Sequence, residues 1–113
     1  MTSQGTAHGR FTRAIQRRNL FQAELAIREM RGLSLLEALD YLDLLSEANS
    51  PKLERAAIRW HGRLETEAAT LTLAESQLAL AAVASLWAGE RDALKILRGV
   101  VRRARPTLLP RIS

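Results

Sequence analysis

Arg91, Lys95, Arg98, Arg102 and Arg105 recur at spacings of 4, 3, 4 and 3. On an α-helix that spacing gathers all five cations into one stripe. Like charges in a row repel unless something negative lies across them. Such a stripe suits the solvated outer face of a terminal helix, a surface that follows nucleic-acid phosphates, or a docking face for an acidic protein. The chain also carries a stripe of the opposite sign. Asp40, Asp43 and Glu47 stand at i, i+3 and i+7. A hard cation takes roughly six or more oxygens, which one helix stripe does not supply, so this acidic face is expected to pair with arginines, its own or those of another copy. Arg13, Arg17 and Arg18 extend the candidate basic surface.

The run AIRWHGRL at 57–64 places a tryptophan, a histidine and two arginines side by side. Helical geometry separates them. Leu53, Ala57, Trp60 and Leu64 share one stripe, so Trp60 is expected in the core, while Lys52, Arg55, Arg59 and Arg63 line the far side. His61 falls at the flank and stands four residues from Glu65, close enough to pair with it. Gly62 lies on the polar side, where it costs about 1 kcal/mol against alanine without evident return.

Little else bears chemistry. There are two histidines and no cysteine, and no HExxH motif, phosphate-cradling glycine loop or His/Cys ligand spacing occurs. The sequence predicts a non-catalytic protein with no metal, no cofactor and no small-molecule ligand. The polar start MTSQGTAHGR lacks the apolar stretch of a secretory signal, and the apolar run from Leu78 to Ala88 is too short to span a bilayer. A cytoplasmic protein without membrane contact is the expectation. The excess of arginine over lysine fits a GC-rich, bacterial genome as well as it fits function.

The elements that must position these residues read as all-α. Leucine and alanine dominate, aromatics make up 4%, and there are three prolines in 113 residues. The net charge of +5 is arranged in blocks. Residues 1–33 are basic, residues 34–50 hold four acids and no base, and residues 90–113 hold seven Lys/Arg against two acids.

Residues 1–9 read as a disordered tail, 10–105 as one helical domain and 106–113 as a proline-containing tail. A first helix around Phe11, Ala14 and Ile15 runs to about Arg18. Asn19 with Gln22 opens a second that runs to about Arg31 before Gly32. Ser34 with Glu37 opens a third, which ends near Ala48. Asn49-Ser50-Pro51 is a turn in which Ser50 caps a fourth helix with Pro51 at its first position, and that helix runs to about Glu67. Thr72 with Glu75 opens a fifth, which Gly89 stops, and a sixth runs from Glu90 to about Ala104. The fifth helix is apolar nearly all round and is therefore expected at the centre of the molecule. The third is apolar over more than half its wheel.

Short connections make neighbours antiparallel, so the expected architecture is six short helices as stacked αα-hairpins, either helical-repeat-like or a compact orthogonal bundle. LSLLEA at 33–38 is echoed by LTLAES at 71–76, and AIR at 26–28 by AIR at 57–59. These spacings bracket those of helix-pair repeats, and the architecture resembles tetratricopeptide-type repeats, without their tryptophan–glycine–tyrosine signature. That combination implies an adaptor-like protein–protein interaction module binding a protein partner or its own copy as a dimer. The alternative is a nucleic-acid-associated protein that uses the basic face of the last helix. The tail leucines Leu108 and Leu109 are expected either to fold back over an end of the stack or to insert into a partner.

Overall fold

A computed structural model describes residues 6–104. They form six helices: α1 (Ala7–Gln16), α2 (Leu20–Glu29), α3 (Leu35–Glu47), α4 (Leu53–Glu67), α5 (Leu73–Trp87) and α6 (Ala93–Ala104). No strand occurs among the described residues. The protein is a small all-α bundle.

Local chemistry sets most of the helix starts. Asn19 accepts a hydrogen bond from the Gln22 amide. Ser34–Glu37 and Thr72–Glu75 form complete capping boxes, each satisfying two amides that a helix start otherwise leaves without partners. The LSLLEA and LTLAES echo is therefore the shared chemistry of two helix starts. The AIR echo has no such match, because it falls late in α2 and early in α4.

Several boundaries differ from those read in the sequence. Thr6 caps α1 by accepting from the Gly9 amide, so the helix begins inside the stretch expected to be tail. The chain turns at Arg18, which has a φ of 56°, and α1 ends two residues earlier. Helix α2 stops at the extended Met30, before Gly32. Asn49, with a φ of 53°, closes α3, and Ser50 and Pro51, expected as cap and first residue of α4, sit in the turn ahead of it, where the Ser50 hydroxyl accepts from the Lys52 amide. Glu90 to Asp92 lie outside α6. Arg105, the 106–113 segment with Leu108 and Leu109, and residues 1–5 lie outside the described residues.

The central helix is α3, not α5. Helices α3, α4, α5 and α6 pack in sequence and α6 returns to α3, closing a four-helix unit. The α1–α2 hairpin lies against α3. Leu39, Leu42 and Leu45 of α3 enter the main core, while its Leu44 joins Phe11, Ala14, Ala23 and Ala26 in a second cluster. Helix α5 packs chiefly on α4 and α6 and is covered on one side only. An apolar wheel states that a face avoids charge, not that the same chain covers it.

Candidate interaction surface

Two of the five cations in the basic stripe meet the acidic stripe of the same chain. The Arg91 guanidinium donates to Asp43 at 2.8 and 3.0 Å, and Arg98 donates to Asp40 at 2.9 Å. Arg18, carried in the α1–α2 turn, spans Asp43 at 3.1 Å and Glu47 at 2.8 Å. Burial works against the Arg18 charge, but Glu47 and Asp43 outweigh it and hold its pKa above the ordinary arginine value. The negative charge that the stripe required is thus the chain's own. Asp40, Asp43 and Glu47 anchor α6 and the α1–α2 turn to α3, and all three are occupied by arginines. Arg103 pairs with Glu75 across α5 and α6. Lys95 and Arg102 face solvent without a partner among the described residues. Among those residues no three His, Cys, Asp or Glu side chains gather as a metal ion would need. No described helix is long and apolar enough to cross a membrane.

On α4 the expected division holds. Trp60 is buried and its indole N–H donates to the Leu35 carbonyl at 3.0 Å, joining α4 to the first turn of α3. The expected His61–Glu65 pair is replaced by a joint grip on Ser76 of α5. The His61 Nε2–H donates to the Ser76 carbonyl at 3.2 Å, and the Ser76 hydroxyl donates to Glu65 at 2.6 Å. On the opposite flank, Arg63 pairs with Glu67 and Lys52 with Glu24, while Arg55 and Arg59 have no partner among the described residues. A shallow hollow of about 240 Å³ lies beside Arg59 and Arg63, floored by Ile27, Leu33, Leu42 and Trp60. At its edge the Tyr41 hydroxyl donates to Glu24 at 2.8 Å. Burial and this bond to a carboxylate raise the Tyr41 pKa above its usual value.

The surface that sequence reasoning missed is the outer half of α5. Leu73, Leu80 and Trp87 are 76%, 55% and 57% exposed, and Gln77 and Ala84 complete the stripe between them. Ile58 of α4, 63% exposed, joins Leu80, Ala84 and Trp87 in lining a shallow apolar depression with Glu54 at its rim. The only charged residue of α5 is Glu75, and it is paired with Arg103. Every other helix points charge at solvent: Arg17 flanks α1, Arg28 lies on α2, Glu47 on α3, Arg55 and Arg59 on α4, Lys95 and Arg102 on α6. The signal is present in the sequence as fifteen residues with a single charge, but the same pattern also fits an enclosed core helix.

Leu73, Leu80 and Trp87 are geometrically suited to contact another surface, since large apolar side chains in a charge-free field gain most from removal of water. Compared with family models, curated proteins and solved structures, this chain matches none of them.

Proposed function

We propose that this chain is a small, non-catalytic protein–protein interaction module that docks through the outer face of α5. The observation carrying this reading is the uncharged, exposed stripe Leu73, Gln77, Leu80, Ala84 and Trp87 with Ile58 beside it, rimmed by Glu54. A tryptophan and leucines at the centre with polar groups at the edge is the layout of binding hot spots. The alternative of nucleic-acid binding by α6 draws less support, because Arg91 and Arg98 are already paired with acids and Lys95 and Arg102 alone remain free on the described stripe.

A photo-crosslinking residue placed at position 80 or, separately, at position 95 tests the choice of surface. The expected result in an extract of the native host is a discrete adduct from position 80 that excess unlabelled protein competes away and excess Leu80→Arg protein does not. Adducts from position 95 alone would overturn the reading. A gel-shift titration over a range of salt tests the alternative, which requires binding that falls steeply as salt rises.

A further inference from the structure

Resting on the reading of α5 as the docking face, we infer that its occupant is a second copy of this chain, packed antiparallel about a two-fold axis through Leu80. Charge supports the assignment first. The chain carries a net +5, so two copies repel over most of their surface. The outer half of α5 carries no unpaired charge of its own, and Glu54 at the rim is the one charge lining its depression, so two such faces meet at small electrostatic cost. It is equally suited to itself, as a two-fold contact demands.

The register supports it second. Leu80 stands seven residues after Leu73 and seven before Trp87. Seven residues are close to two helical turns, so these three side chains project along one line. In an antiparallel pair crossing at Leu80, each Leu80 meets its symmetry mate. Leu73 of one copy then faces Trp87 of the other, and Gln77, three residues before Leu80, comes within one residue of level with Ala84, four after it. Bulky groups fall against bulky groups at both ends, with smaller ones between. Ile58 shares the depression of Leu80 and so comes close to the axis. Antiparallel helices also set opposite dipole ends side by side.

Area supports it third. Leu73, Leu80, Trp87 and Ile58 expose on the order of 400 Å² of apolar surface per copy. That is about half of the roughly 800 Å² that each partner contributes to a standard interface. Gln77, Ala81, Ala84, Ala88 and the α4 rim surround this centre and are exposed to supply the rest.

The chain has no cysteine, so single cysteines report the geometry directly. Leu80→Cys is expected to form a disulfide-linked dimer under mild oxidation. Leu73→Cys alone is expected not to, whereas a mixture of Leu73→Cys and Trp87→Cys proteins should cross-link to each other. Sedimentation equilibrium of the unmodified protein should give a dimer mass by about 100 µM, where a complex with a Kd of about 10 µM is mostly assembled. Leu80→Arg should return a monomer with unchanged helix content by circular dichroism. A monomeric wild-type protein over that range, or Leu73→Cys linking as readily as Leu80→Cys, overturns the two-fold arrangement. Should the wild type be monomeric while position 80 still gives a competed adduct with another protein, the second copy is refuted and the docking face stands. If neither occurs, both fall.

Discussion

Replacing Trp60 by phenylalanine isolates what joins α4 to α3. The indole is 2% exposed, sits among Leu35, Leu39, Leu64 and their neighbours, and donates to the Leu35 carbonyl at 3.0 Å. Phenylalanine keeps an aromatic ring in the core but loses the donor and two ring carbons. The lost hydrogen bond costs about 1 kcal/mol. The lost carbons cost about 0.8 kcal/mol each in a packed interior. The expected loss is therefore about 2.5 kcal/mol, a large share of the roughly 5–15 kcal/mol by which a domain of this size is stable. Urea unfolding followed by circular dichroism, with both proteins at one concentration, should show a lower midpoint at unchanged slope. The melting temperature should fall by about 10 °C. In a Trp87→Phe background Trp60 is the sole indole, and its emission should be that of a ring shielded from water, shifting to the red on unfolding. A stability loss below about 0.5 kcal/mol, or water-exposed emission from the folded protein, would refute the placement of Trp60 and the hydrogen-bond argument with it.

Gly62 lies in the middle of α4, is exposed, and a Cβ built there meets nothing within 4 Å. Gly62→Ala should therefore raise stability by about 0.5–1 kcal/mol in the same urea assay. Asp43 is the acceptor shared by Arg18 and Arg91, and its side chain is 14% exposed. Asp43→Asn should cost about 1 kcal/mol, more than Asp40→Asn, which breaks a single and more exposed pair, and the difference should shrink as salt rises. Burial pushes the Glu24 carboxyl upward, but hydrogen bonds from Lys52 and Tyr41 and the charges of Lys52 and Arg28 outweigh it, so its pKa lies below the usual 4.5. A depressed folded-state pKa stabilises the fold above the unfolded-state value and is lost as pH falls through the folded one. Tyr41→Phe removes one of those bonds, so its destabilisation should be present at neutral pH and diminish below about pH 4, as read from urea midpoints across a pH series.

Where each helix forms was largely legible from local pattern. Asn19, Ser34 and Thr72 start their helices through bonds to residues three positions on, and such bonds need no tertiary partner. Gly89, with a φ of 101°, ends α5 as its type suggests. Trp60 was legible for the same kind of reason, since its stripe with Leu53, Ala57 and Leu64 is a property of one helix alone. The displaced boundaries fall where a residue had two local uses. Ser50 followed by Pro51 can open a helix at once or form the turn ahead of it, and here it forms the turn, with Asn49 closing α3 in the left-handed conformation.

The amino-acid order by itself determined six amphipathic or apolar helices, a segregated set of charges and a tryptophan turned inward. It did so because helical periodicity and capping act within a few residues along the chain. Tertiary packing alone decided which broadly apolar helix is enclosed. Helix α3 is central because its acidic stripe finds Arg18 from the α1–α2 turn, Arg91 from the turn before α6 and Arg98 from α6, which lets charge lie between packed helices. Helix α5, with nothing to repel it from either place, was left with its outer half to solvent. The same docking paired Arg91 and Arg98 of the basic row with acids of α3 and left Lys95 and Arg102 free among the described residues. Pairings of this kind join residues 25 to 58 positions apart, a separation over which no wheel or spacing carries information.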